Sequence, residues 1–137
     1  MIRMRAAQGL WAAGDIARFP LDGQPQRIEH WRLAQQQGRI AASNMLGANL
    51  AYADVPFFWT FQFGKRLDYL GHATEWDEVL FEGSPESFEF VALYCTAGRV
   101  VAALGCQRER AMAWLAGRMC QPLNVEEALQ GVRQASD

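Results

Sequence analysis

The sequence predicts an α+β fold, in which a five-stranded antiparallel meander sheet is covered by C-terminal helices. Between residues 57 and 106, short aromatic and β-branched runs alternate with turns, and helical periodicity follows after residue 108. The first 50 residues contain one apolar strand and one helix. The 137 residues suffice for one core and an appendage, so we expect an orphan strand-loop-helix at residues 1–50 and an α+β domain at residues 51–137.

The N-terminal segment opens with an apolar run at residues 9–13, which predicts a buried strand that turns sharply at Gly14-Asp15. A turn-rich loop is expected at residues 20–26, and a helix at residues 31–46 that stops at Gly47. The face of this helix that we expect to be buried consists of Trp31, Ala34, Gly38, Ala41, Ala42 and Met45.

The second segment contains five predicted strands, at residues 57–63, 66–72, 77–82, 87–96 and 99–106. Strands joined by such short connections must be antiparallel, because a parallel neighbour needs a crossover of about a dozen residues. In the fourth strand Phe88, Phe90, Ala92 and Tyr94 share one face. We therefore expect one side of the sheet to be aromatic.

Two helices are expected after the sheet. The first, at residues 108–119, carries the apolar stripe Ala111, Trp114, Leu115 and Met119 and is the natural cover for one side of the sheet. The sequence Asn124-Val125-Glu126-Glu127 is typical of a capping box, in which Asn124 accepts from the amide of Glu127 and Glu127 reaches back. A last helix is predicted at residues 125–134.

Composition excludes several classes of partner. The net charge is -2 and the pI is about 5.7, so the basic surplus that nucleic-acid or anionic-membrane binding requires is missing. The apolar runs are too short to span a membrane, and the start of the chain lacks the apolar stretch of a secretory signal. We expect a soluble cytoplasmic protein that binds neither nucleic acid nor membrane.

The residues needed for metal or hydrolytic chemistry are not arranged for it. Cys95, Cys106 and Cys120 form no Cys-x-x-Cys pair, and we expect them to be buried free thiols. The two histidines have no metal-ligand spacing, and no Gly-x-Ser-x-Gly sequence occurs. Neither a metal site nor an independent hydrolase is predicted.

The most informative stretch is the apolar strand that ends in Ala13-Gly14-Asp15, followed by Glu29-His30-Trp31 at the start of a helix. A glycine allows a ligand close to the backbone, and a carboxylate accepts hydrogen bonds from sugar or polyol hydroxyls. The helix start offers free amides to a carbonyl or an anion. On spacing alone an alternative stays open, in which Asp15 only caps a turn and Trp31 fills the core.

Three stretches carry a resemblance to a known family. Leu10-Trp11-Ala12-Ala13-Gly14-Asp15-Ile16-Ala17 resembles the second flavin-binding motif of flavoproteins with two dinucleotide folds. The stretch from Arg27-Ile28-Glu29-His30-Trp31 to Asn44-Met45-Leu46-Gly47 resembles the helix that follows it. Val55-Pro56-Phe57-Phe58-Trp59-Thr60 resembles the entry to the C-terminal domain. Together they resemble FAD-dependent NAD(P)H oxidoreductases of the ferredoxin reductase and apoptosis-inducing-factor-like type.

This resemblance implies roles for particular residues. Asp15 would accept hydrogen bonds from the ribityl chain of FAD, with Gly14 keeping the backbone close. The segment formed by Glu29, His30 and Trp31 would lie beside the isoalloxazine ring, and Trp59 would pack near the same ring. The implied electron acceptor of the full-length enzyme is an iron-sulfur redox protein of the ferredoxin or Rieske type.

The chain contains no Gly-x-Gly-x-x-Gly sequence, the turn that cradles the FAD pyrophosphate in this family. Residues 1–50 therefore lack a layer to pack on. We expect them to fold back, to become partly disordered, or to pair with another chain as a homo-oligomer or with the missing flavoprotein domains. The main hypothesis is a catalytically silent C-terminal portion of an electron-transfer reductase, and the alternative is a stand-alone dimerisation or binding module.

Overall fold

The computed structural model describes residues 3–21 and 23–136. The chain divides into two compact units, Met1–Asp54 and Val55–Asp137. The first unit contains the segment predicted at residues 1–50, and the second contains the predicted α+β domain.

The first unit combines two small hairpins with one helix. Its elements are β1 (Arg5–Ala7), β2 (Leu10–Trp11), a 3₁₀ turn (Gly14–Ile16), β3 (Phe19–Leu21), β4 (Gln24–Gln26) and α1 (Trp31–Met45). β1 pairs with β2 and β3 pairs with β4, in both cases antiparallel. The unit has a core of its own, formed by Met4, Phe19, Ile28, Leu33 and Ala41.

Three expectations for the first unit are corrected. The apolar run at residues 9–13 is not a buried strand, because its strand β2 is short and pairs with the exposed strand β1, and Leu10 is 58% exposed. The loop expected at residues 20–26 includes most of the β3–β4 hairpin. The buried residues of α1 are Leu33, Gln37 and Ala41, whereas Trp31 and Met45, expected in the core, are more than half exposed.

The second unit contains the predicted five-stranded antiparallel sheet. Its strands are β5 (Phe57–Gln62), β6 (Lys65–Gly71), β7 (Glu78–Ser84), β8 (Glu89–Thr96) and β9 (Arg99–Cys106). The order across the sheet is β5-β6-β9-β8-β7. The sequential order of a meander therefore holds for β5–β6 and for β7–β8–β9, but β6 pairs with β9 and not with β7. The α+β fold class is confirmed with this one difference in strand order.

Two helices, α2 (Glu109–Arg118) and α3 (Val125–Ser136), pack on one face of this sheet, as expected. The buried residues of this layer come from both sheet and helices and are Leu70, Val91, Leu93, Cys95, Val100, Ala103, Ala111, Met112, Leu115, Leu123, Ala128 and Val132. The other face carries the predicted aromatic side, where the ring centroids of Tyr69 and Tyr94 lie 6.3 Å apart. Phe90 and Ala92 are buried there.

One of the two interactions of the predicted capping box at the start of α3 is formed. The Oδ1 atom of Asn124 accepts from the amide of Glu127 at 2.8 Å. The Glu127 carboxylate does not complete the box, because it forms an ion pair with Arg118 at the end of α2. This ion pair links the two helices, and the absence of a side chain at Gly131 leaves room for the Trp114 indole between them.

The cysteines differ from the expectation at one position. Cys95 and Cys106 are buried free thiols, and burial raises the pKa of each. Cys120 is also a free thiol but is exposed, just beyond the end of α2. The prediction of three buried thiols is therefore wrong for Cys120.

Candidate functional site

A sharp turn at Gly14-Asp15 is the centre of the site in the first unit. Gly14 has φ +76°, a conformation that glycine adopts readily and other residues adopt at a cost, and its carbonyl accepts from the amide of Ala17 at 2.8 Å. The carboxylate of Asp15 is exposed and makes no hydrogen bond or ion pair within residues 3–21 and 23–136. Asp15 is thus available to an outside hydroxyl, and the glycine turn is confirmed.

Helix α1 packs directly against this turn. A Cβ atom added to Gly14 would lie 3.3 Å from the Cβ of Ala34, which is tighter than usual packing. One turn further along the helix, the Oε1 atom of Gln37 accepts from the amide of Gly14 at 2.8 Å. Sequence reasoning missed Gln37, because a glutamine within an amphipathic helix is expected on the exposed face.

The segment formed by Glu29, His30 and Trp31 lies at the start of α1, as predicted. His30 is the N-cap residue, and its Nδ1 atom accepts from the amide of Leu33 at 3.2 Å. Glu29 is exposed and pairs with Arg27 at 2.5 Å. Trp31 is 55% exposed, so the alternative in which it fills the core is wrong. The exposed Trp31 is therefore the first residue of α1 and directly follows His30, which caps the helix.

A small cavity of about 190 Å³ adjoins the glycine turn, and its lining includes Ile16, Arg18 and Phe19. Pockets that enclose a cofactor or a drug-sized ligand usually measure about 300–1,000 Å³. This cavity is therefore smaller than such a pocket, and its lining residues do not include Gly14, Asp15 or the start of α1.

Trp59 belongs to the second unit, where it lies on β5. It shares a face with Phe57, which packs into the layer below the helices, and the two rings are 5.8 Å apart. The guanidinium of Arg66 lies 5.4 Å from the centroid of the Trp59 ring, within the range of a cation–π contact. The indole is therefore held from two sides within its own unit.

Arg66 is itself fixed by a buried carboxylate. Asp68, directly opposite Trp59 in the β5–β6 register, is 4% exposed. The Nε and Nη2 atoms of Arg66 donate to its Oδ1 atom at 2.9 and 2.8 Å. Sequence reasoning missed this pair, although two opposite charges separated by one residue on a predicted strand were a usable signal.

Within residues 3–21 and 23–136, no group of three or more His, Cys, Asp or Glu side chains is placed to hold a metal ion. None of the helices formed by these residues has the length and apolar character needed to cross a membrane. The candidate residues therefore form two groups, each within its own unit: the Gly14-Asp15 turn with the start of α1 in the first, and Trp59 with Arg66 and Asp68 in the second.

Comparison with known proteins identifies the second unit. A family model described as "Reductase C-terminal" matches residues 57–128. The chain is 42% identical over 97 residues to apoptosis-inducing factor 3 of Homo sapiens, which covers 69% of this chain and 16% of that protein. It is 36% identical over 101 residues to the ferredoxin–NAD(+) reductase component of the anthranilate 1,2-dioxygenase system of Burkholderia cepacia, which covers 72% and 25%.

A solved structure agrees with these relatives over nearly the whole chain. The ferredoxin reductase for the CYP199A2 system from Rhodopseudomonas palustris superposes with a TM-score of 0.78 at 25% identity and covers 93% of this chain and 33% of that one. The chain thus spans a quarter or less of these curated relatives and about a third of this solved structure. By its residues 57–128, the chain belongs to the reductase C-terminal family, the C-terminal domain of ferredoxin reductase-type proteins.

Proposed function

We propose that this chain supplies the last flavin-binding segment and the C-terminal domain of an FAD-dependent NAD(P)H oxidoreductase that passes electrons to a ferredoxin-type iron-sulfur protein. The names of the relatives in Burkholderia cepacia and Rhodopseudomonas palustris support the reaction class and the acceptor. The human relative supports the apoptosis-inducing-factor-like character.

The observation that carries the proposal is the exposed carboxylate of Asp15 on the Gly14 turn, beside the capped start of α1. An ionised carboxylate only accepts hydrogen bonds, so it suits the hydroxyls of a polyol chain such as ribityl. The positive end of the helix dipole at a helix start suits a carbonyl or a negative charge, as at the pyrimidine end of a flavin. The two features are brought together within one unit by the packing of α1 against the turn.

Each candidate site residue then has a separate role. Asp15 binds the polyol arm, and Gly14 permits the backbone to approach it. The start of α1, with His30 as its cap, polarises the flavin carbonyls, and Trp59 excludes water from the ring. The flavin, when bound, supplies the hydride and electron chemistry, so these residues bind, orient and shield.

By this proposal the chain is silent on its own. The glycine-rich turn that binds the FAD pyrophosphate in such enzymes is not in the sequence, and the small cavity lined by Ile16, Arg18 and Phe19 is below the usual size of a cofactor pocket. The dinucleotide-binding folds come from the rest of a longer polypeptide or from a partner chain, and we propose that residues 1–54 pair with them or with a second copy of this chain.

The test is titration of the full chain with FAD, followed by amide chemical shifts in ¹⁵N-labelled protein. We expect weak binding, with shift changes at residues 14–16 and 29–31. Asp15→Asn removes a charged acceptor worth about 1.5–3 kcal/mol and should weaken binding by roughly 10-fold or more. Glu89→Gln, which neutralises an exposed carboxylate of the second unit, is the matched control and should change nothing.

The alternative function, a dimerisation or binding module without flavin, gives a different result in the same titration. In that case FAD shifts none of the residues 14–16 or 29–31 at millimolar concentration, and sedimentation equilibrium shows a stable colourless dimer. This outcome would remove the flavin-binding role and leave only the fold assignment.

A further inference from the structure

Gln37 lies in the middle of α1 and is as deeply buried as the apolar residues around it. Its exposed fraction is 1%, and Leu33 and Ala41, one helical turn to either side, are the other buried residues of the helix. A glutamine is rarely placed in such a stripe, because burying its amide is unfavourable unless both polar atoms find partners. The position therefore needs an explanation beyond packing.

One polar atom of Gln37 has a specific task. Its Oε1 atom accepts from the backbone amide of Gly14 at 2.8 Å, across 23 residues of sequence. Because a backbone amide only donates, the contact requires the oxygen of the Gln37 side chain and fixes its orientation. Together with the close approach of Ala34, it holds the glycine turn against α1 from two successive helical turns.

The other polar atom argues against a role in stability alone. The Nε2 atom of Gln37 has no hydrogen-bond partner among the described residues. An unpartnered buried donor is unfavourable, so a leucine or methionine would suit the core better at this position. The hydrogen bond that its Oε1 atom accepts from the Gly14 amide is therefore what favours a glutamine at this position.

The geometry points to Gln37 as a positioning residue that fixes the Gly14 turn through its Oε1 atom and so presents Asp15 outward. As a flavin-site role, this inference rests on the proposed function. As a statement about the turn, it holds whether or not flavin binds. The next residue after Gly14 is Asp15, so loosening the amide of Gly14 loosens the carboxylate as well.

The test is hydrogen exchange of the Gly14 amide in the full chain. Gln37→Met keeps the length of the side chain and loses the acceptor, and we expect the Gly14 amide to exchange at least 10-fold faster. Gln37→Glu keeps an acceptor oxygen and should restore the protection. The Gly71 amide, which donates to the carbonyl of Pro56 at 2.8 Å, is the matched control in all three proteins.

A spectroscopic signature separates positioning from general stability. In Gln37→Glu, the Gly14 amide proton should move downfield as the introduced carboxyl ionises, while that of Gly71 stays constant. This measurement remains decisive if Gln37→Met unfolds the first unit. An unchanged Gly14 exchange rate in a folded Gln37→Met protein, or a Gly14 proton that ignores the titration, overturns the inference.

The FAD titration distinguishes a failure of this inference from a failure of the proposed function. If Gly14 responds as expected but FAD shifts no residue of the turn, Gln37 positions the turn and the proposed flavin role fails. If FAD binds at the turn and Gly14 exchange is unaffected by Gln37→Met, the proposed function stands and the inference about Gln37 fails.

Discussion

The buried ion pair between Arg66 and Asp68 allows a quantitative test of how the second unit holds Trp59. Arg66→Met removes both hydrogen bonds to the Asp68 carboxylate, which is 4% exposed and cannot turn to water for replacement partners. We therefore expect a large loss of stability from this one substitution, since it leaves a charge buried without a counterion.

The magnitude follows from the exposure of the two side chains. Breaking a fully buried pair costs about 3–5 kcal/mol. The Arg66 side chain is 36% exposed and that of Asp68 is 5% exposed, so water reaches one side of the pair and we expect about 3 kcal/mol, the lower end. Replacing both residues, Arg66→Met with Asp68→Leu, leaves no buried charge and should cost only about 1 kcal/mol, which is the lost contact with Trp59.

The assay is urea denaturation of the full chain, followed by tryptophan fluorescence and circular dichroism, for both single variants and the double variant. The matched control is Arg133→Met. Arg133 pairs with Glu82 at 2.9 Å, but the two side chains are 64% and 22% exposed, so its loss should cost about 0–1 kcal/mol. Equal losses for Arg66→Met and Arg133→Met, or a double variant no more stable than Arg66→Met, would refute the reasoning.

Three further predictions concern backbone space, protonation and thiol exposure. Gly71→Ala should lower the free energy of unfolding by about 3 kcal/mol in urea denaturation, because an added Cβ would collide with the carbonyl of Val101. Gly98 has a similar positive φ but open space around it, so Gly98→Ala should lower the free energy of unfolding by about 1 kcal/mol. Equal losses for the two variants would contradict this prediction. Burial lowers the pKa of His72, so the unfolded state takes up its proton first as pH falls below about 6.5. Stability should therefore decrease from pH 7 to pH 5, and thermal melts of His72→Gln should show a smaller decrease. Cys120→Ser should abolish the fast phase of thiol labelling in the native protein, and a fast phase that persists would show that a buried thiol is accessible.

Local patterns in the sequence were sufficient to predict most elements of the second unit. Alternation along a strand and a glycine or proline at its end are short-range signals, and the ends of β9 at Arg99 and Cys106 agree with the prediction. The pairing of β6 with β9 could not be predicted in this way, because turn chemistry identifies hairpin neighbours but not strands brought together from a distance.

The site in the first unit was predicted less completely. The glycine turn and the helix start follow from residue types at fixed positions, so Gly14, Asp15 and His30 could be named. The buried face of α1 could not be predicted correctly, because it was assigned from the spacing of apolar residues, whereas the face that is buried includes the polar Gln37. The apolar run at residues 9–13 was misread for a related reason. Hydrophobicity alone does not distinguish a buried strand from a run that forms only a short strand and in which Trp11 and Ala13 pack only partly against the core.

The strand order of the sheet has a consequence for how the second unit folds. The β5–β6 hairpin and the three strands from β7 to β9 are each closed by short turns, and only the ladder between β6 and β9 joins them. Paired residues in that ladder, such as Tyr69 and Leu104, are roughly 35 positions apart, so zipping them together carries the largest loop-closure entropy. We expect closure of this ladder to limit the refolding rate, so that Leu70→Ala, in the ladder, slows folding more than it accelerates unfolding.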